Sequence, residues 1–136
     1  KGYGSWSREY STEYWPQESA LDRLIKMEKP DFLNRDAYAR IADRPARQRI
    51  AMVAIDAVDA DATGGEPIFL ADGTPAGQVT SGTYGYSVNL SLAMCYLKSE
   101  FIEPGRKVFV HVLGRPHRAT ILERAPFDPE GLRLRN

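Results

Sequence analysis

The sequence predicts a mainly β protein, an antiparallel barrel of about six strands preceded by an irregular arm and short helices. Three observations carry that expectation. From Arg47 onward, apolar and β-branched runs such as Ile50-Ala51-Met52-Val53-Ala54-Ile55 are bounded by glycine, proline or aspartate at short intervals. The Ala71-Asp72-Gly73-Thr74 step between two such runs has the composition of a hairpin return, because glycine accepts the positive φ of a tight turn. The 136 residues are 43% hydrophobic and 26% charged, a balance that lets a chain of this length bury a core. Short, regularly spaced strands favour a closed sheet, which leaves no edge exposed.

Residues 1–16 carry Tyr3, Trp6, Tyr10, Tyr14 and Trp15 among glycines and polar residues without a sustained period, the pattern of an irregular packed arm. A short helix is expected over residues 17–27, where Leu21, Leu24 and Ile25 recur at helical spacing behind Pro16 and Glu18 stands in the first turn. Pro30 ends it. A second helix is expected from Asp36 to Ala42, with Asn34 or Arg35 at its start and Pro45 beyond its end. Strands follow at Ile50–Ile55, Ile68–Leu70 and Gln78–Thr80. The stretches Lys107–Leu113 and His117–Glu123 form a further hairpin about Gly114-Arg115-Pro116. The chain thus divides into an arm with short helices, residues 1–45, and a barrel domain, residues 46–136.

Eighteen basic residues balance eighteen acidic ones, so the chain has no electrostatic reason to seek nucleic acid or an anionic membrane surface. No apolar run approaches the roughly 20 residues of a membrane-spanning helix, and the start has no signal-peptide layout. A single cysteine, Cys95, excludes an intramolecular disulfide and fits a reducing cytoplasm, or a mitochondrial matrix in a eukaryote. Its apolar neighbours assign it to the core. The chain begins without methionine inside an aromatic phrase, and the expectation is a piece of a longer polypeptide.

No complete catalytic constellation is legible. Thr80-Ser81-Gly82 contains hydroxyls but no identifiable triad, so they are expected to satisfy backbone at a turn, with Gly82 allowing the bend. His111 and His117 lie on neighbouring expected strands and could meet across the hairpin, yet no third ligand accompanies them and no zinc site is expected. Gly64-Gly65 lacks the Gly-Lys-Ser/Thr ending of a phosphate loop. Neither catalytic nor metal-binding residues are therefore assigned.

Several phrases in order carry a resemblance. Gly64-Gly65-Glu66-Pro67-Ile68, Asp72-Gly73, Gly77-Gln78-Val79-Thr80-Ser81-Gly82, Tyr84-Gly85-Tyr86-Ser87 and a strand at Ser91-Leu92-Ala93-Met94-Cys95-Tyr96-Leu97 resemble the C-terminal end of the glycine-cleavage T-protein (aminomethyltransferase) superfamily. Cys95 and Leu97 depart slightly from its pattern. Lys1-Gly2-Tyr3-Gly4-Ser5-Trp6, Pro16-x-Glu18, Asp31-Phe32-Leu33-Asn34-Arg35 and Asp128-Pro129-Glu130-Gly131 are similar to the dimethylglycine and sarcosine dehydrogenase branch, with Asn34 where glycine is usual.

The resemblance implies that residues 1–45 end a preceding folate-binding domain and that the barrel follows it. It implies a tetrahydrofolate site shared with the missing N-terminal part, which captures a carbon from an N-methyl amine. FAD belongs to a flavin half of the parent chain and not to these residues. The remainder of the parent polypeptide is the implied partner. The acidic residue near the folate amine lies in a more N-terminal domain, so no activity is expected of this chain alone.

The resemblance implies that the Tyr3–Glu18 arm lies nearest the folate cavity, so Tyr3, Trp6, Arg8 and Glu18 are the candidate cofactor-binding residues; pterin and aminobenzoate rings favour aromatic walls with a few placed polar groups. The competing expectation is that these aromatics pack the arm onto the barrel and that Glu18 complements a helix dipole. T-proteins place a folate-assisting arginine in the loop before Pro67; Thr63 stands there, so that contact is not transferred. Two other functions remain open: the C-terminal domain of a glycine cleavage aminomethyltransferase, and a non-catalytic interaction barrel.

Overall fold

The computed structural model describes residues 1–57 and 59–135. Six strands, β1 (Gln48–Ile55), β2 (Pro67–Phe69), β3 (Pro75–Gly85), β4 (Leu90–Lys98), β5 (Lys107–Val112) and β6 (Arg115–Ile121), close into a barrel in the order β1-β4-β3-β2-β5-β6. Every pairing is antiparallel, and β6 returns to β1 with Val53 opposite Ile121. The mainly β class and the strand count agree with the sequence reading. On β5, Val108, Val110 and Val112 alternate inward and meet Val53, Ile68, Leu97 and Ile121 in one buried core. Each such side chain, fully buried, contributes roughly 1.5–3 kcal/mol. Cys95 belongs to this core as expected, its thiol pushed up to about 12 by burial.

β3 runs eleven residues where only Gln78–Thr80 was expected. Glycines that read as breakers lie inside it, and Gly82 is required by close approach: a Cβ there would sit 2.3 Å from the carbonyl oxygen of Ala62. Gly82 therefore accommodates the crossing 61–66 loop inside a continuing strand. The Ala71–Thr74 return forms as expected, with the Leu70 amide donating to the Thr74 carbonyl at 2.9 Å and Gly73 at φ +85°. The β5–β6 return comes one residue earlier than expected. Leu113 and Gly114 both take positive φ, the two-residue turn whose twist matches that of the strands. In this register His111 opposes Pro116 and His117 opposes Val110, so the two imidazoles leave opposite faces and do not meet.

Residues 1–16 form turns without regular structure. The helix expected over 17–27 is reduced to a single 3-10 turn, Asp22–Leu24. Ala20 at φ +58° interrupts the helical path, and the Glu18 carbonyl, which a helix would use for the amide four residues on, instead accepts the Ile50 amide of β1 at 2.8 Å. Tertiary pairing has overridden helical spacing. The second helix forms as α1 (Arg35–Ala42), preceded by Asn34 at φ +65°. Gln17 Nε2 ties the arm to its last turn through the carbonyls of Ile41 (2.9 Å) and Ala42 (3.3 Å). Among the described residues no helix is long and apolar enough to cross a membrane.

Candidate functional site

The arm lies on the outer wall of the barrel across β3 and β4, and a bulge in β3 decides how it is held. Val79 faces Cys95 and Ser81 faces Met94, so Thr80 is an extra residue without a cross-strand partner. In a regular strand Thr80 and Ser81 would point to opposite faces. The bulge turns both hydroxyls to the same side, where they donate to one oxygen, Glu9 Oε1, at 2.5 and 2.6 Å. The expectation that these hydroxyls satisfy backbone at a turn is thus corrected.

Glu9 Oε2 accepts the Ser5 amide at 2.7 Å, and the Glu9 carbonyl accepts the Tyr96 hydroxyl at 2.7 Å. Glu9 is 1% exposed. Burial alone would raise its carboxyl, but hydrogen bonds from Ser5, Ser81 and Thr80 outweigh that effect and hold it below the ordinary glutamate value. A carboxylate held in that state is a poor general base at neutral pH, so the cluster clamps and does not activate a serine. Tyr96 also stacks on Tyr14 with centroids 3.6 Å apart, and burial, followed by the influence of Tyr14 and Glu18, pushes its hydroxyl up.

Arg8, adjacent to Glu9, grips the same stretch by its backbone. Its Nη1 donates to the carbonyls of Thr63 (2.5 Å) and Thr80 (3.1 Å). The 61–66 loop is folded on Glu66, whose carboxylate accepts the amides of Thr63 and Gly64, each at 2.8 Å. Arm, loop and β3 meet at one residue, Thr80.

The four residues singled out from the sequence do not converge. Tyr3, 64% exposed, lines a cavity of about 450 Å³ between the arm and the outer face of β1 and β4, with Tyr10, Ile50, Met52, Met94 and Leu122. Trp6 is 83% exposed and lines neither this cavity nor its neighbours. Arg8 stands at Thr63 and Thr80. Glu18 is buried, accepts the Trp15 amide at 3.0 Å and borders a separate cavity with Arg49 and Ala46. Glu9 was missed by sequence reasoning. It sits in an aperiodic stretch, and its only trace is the Thr80-Ser81 pair, whose bulge no sequence pattern marks. Among the described residues, no group of three or more histidine, cysteine or acidic side chains is placed to hold a metal ion.

Comparison with known proteins agrees with this architecture. Residues 47–128 match the family model of the glycine cleavage T-protein C-terminal barrel domain. Mitochondrial dimethylglycine dehydrogenase of Rattus norvegicus is 34% identical over 124 residues, which cover 90% of this chain and 14% of that protein. The Homo sapiens enzyme of the same name is 32% identical with the same coverage. An aminomethyltransferase of Moorella thermoacetica is 30% identical over 118 residues, 87% of this chain and 32% of that one. Glycine cleavage system aminomethyltransferase T from Bartonella henselae superposes with a TM-score of 0.72 at 21% identity, covering 82% of this chain and 31% of that chain, a likeness of fold. The chain therefore spans about one seventh of the dehydrogenases and about a third of the aminomethyltransferases it matches. With the closed barrel, its bulged β3 and a model match across 47–128, the chain belongs to the glycine cleavage T-protein C-terminal barrel domain family.

Proposed function

We propose that this chain is the folate-side C-terminal module of a one-carbon-transfer enzyme resembling dimethylglycine or sarcosine dehydrogenase. In this reading its arm meets the remainder of the parent polypeptide and walls part of a tetrahydrofolate site. The observation that carries the reading is an exposed aromatic pair, Tyr3 and Trp6, on an arm whose neighbouring residues Arg8 and Glu9 are tied to the barrel. Large exposed aromatics on an anchored segment fit a surface that another body covers.

Tetrahydrofolate fits one wall here. Tyr3 and Tyr10 stand over an apolar floor of Ile50, Met52 and Met94, suited to a flat aromatic ligand face. Two of the charged residues lining this cavity are already engaged: Lys1 Nζ is 2.6 Å from Asp128, and Arg23 donates to the Ala20 carbonyl. The rest of the pocket belongs to the parent chain. Bound tetrahydrofolate would supply the amine that accepts the one-carbon unit from an N-methyl amine, and residues of this chain would orient it and exclude water. FAD belongs to a flavin half of the parent, outside these residues.

The Rattus norvegicus dimethylglycine dehydrogenase, at 34% identity over 90% of this chain against 28–32% over 82–88% for the aminomethyltransferases, favours the dehydrogenase branch over a stand-alone aminomethyltransferase. Calorimetric titration of tetrahydrofolate into this chain and into the full-length parent tests the shared pocket. The parent is expected to bind and this chain to give no saturable heat. Equal affinity in both would refute the reading.

A further inference from the structure

Glu9 has a role in this chain that does not depend on folate. Residues 1–16 are joined to the barrel by few polar contacts, and four bonds centre on Glu9. Its carboxylate links the Ser5 amide of the arm to hydroxyls 71 and 72 residues away, and its carbonyl holds Tyr96 of β4. The remaining polar ties are the exposed Arg8 guanidinium on Thr63 and Thr80, and Lys1 on Asp128, which lies beyond the last strand. The barrel, by contrast, is closed by its own ladders, with β1 paired to β4 and β6.

We propose that Glu9 is a latch: with its carboxylate in place the arm is strapped across β3 and β4, and without that charge residues 1–16 lift away while the barrel stays closed. Lifting opens the 450 Å³ cavity that Tyr3 and Tyr10 roof. The chemistry of the site favours an ionised acceptor. Three donors converge on two oxygens, a set that a carboxylate satisfies completely. A glutamine in its place can keep the Ser5 amide only by turning its NH2 group to the two hydroxyls, which must then accept instead of donate, and the charge-assisted bonds to Glu9 are lost.

The groups packed around Glu9 do not replace its charge. Arg8 turns its guanidinium to carbonyls, Tyr96 comes from β4, and Tyr14 and Glu18 come from farther along the arm. Among the described residues no ion pair reaches Glu9.

Amide hydrogen exchange on this chain at one fixed pH tests the latch. In Glu9→Gln, and independently in a Thr80→Val/Ser81→Ala double variant that retains the carboxylate, the amides of Ser5, Arg8 and Tyr10 are expected to exchange at least tenfold faster. Those of Met94 and Cys95 should keep their wild-type rates. Wild-type exchange in low denaturant needs no variant: arm amides should open separately from, and more easily than, the barrel. Unchanged arm rates in both variants, or arm and barrel opening as one unit, would overturn the latch. Neither result bears on tetrahydrofolate binding, which is measured separately in the parent.

Discussion

Arg8 and Glu9 are neighbours on the arm and hold one residue of β3 by different means, the guanidinium taking the Thr80 carbonyl and the carboxylate its hydroxyl. Their energies are unequal because their surroundings are. Arg8 is exposed and competes with water, whereas Glu9 is buried and its loss strands three donors. Glu9→Ala is accordingly expected to destabilise the chain by about 1–2 kcal/mol, the cost of leaving part-buried donors without their acceptor. Arg8→Ala should cost less, with urea denaturation comparing the two.

The same site predicts a pH dependence. Glu9 has a folded value below its unfolded one, as does Glu66, where burial raises the carboxyl but bonds from Thr63 and Gly64 lower it further. Stability from such groups is fully present above the unfolded value, about pH 4–5, and is lost as pH falls through the depressed folded value. The thermal midpoint should fall on acidification through that window. In Glu9→Gln the part of the fall that belongs to Glu9 should be missing.

At the scale of elements, the strands were legible because alternation and turn residues mark them locally, whereas β3 and the first helix were not. β3 was shortened by reading Gly77 and Gly82 as breakers, although both lie where another backbone comes close: a Cβ would be 2.0 Å from the Tyr96 oxygen at one and 2.3 Å from the Ala62 oxygen at the other. Such contacts join residues far apart in sequence and leave no periodic trace. The helix over 17–27 failed for the same reason, since the Ile50 amide that takes the Glu18 carbonyl lies thirty-two positions away. Gly82→Ala tests this view of β3. If close approach is the requirement, the added methyl must displace the 61–66 loop and should cost about 1–3 kcal/mol, as overpacking does. If Gly82 served only a bend, a φ that alanine accepts would make the change nearly neutral. The chain's urea midpoint decides between them.

For the whole molecule, the division of labour is between a barrel that closes on itself and an arm that shows aromatic surface outward. The barrel was readable from the sequence because its core repeats with the period of a strand; for the arm the sequence offered only a resemblance, since aperiodic aromatics say nothing about what they face. Trp6 separates these two bodies of evidence. At 83% exposure it contributes little to the chain's own packing, so Trp6→Ala should change the stability of this chain by no more than about 0.5 kcal/mol. A tryptophan that becomes the buried centre of an interface typically contributes about 2 kcal/mol or more. If the parent polypeptide covers the arm, the same substitution there should weaken the arm's docking, and with it tetrahydrofolate affinity, by about thirtyfold. Thermal melts of the 136-residue chain and folate titration of the parent, each with and without the substitution, supply the comparison. A parent that binds tetrahydrofolate equally well without Trp6 would show that this part of the arm is not covered in the parent, and would remove the main physical reason for proposing that it walls a folate site.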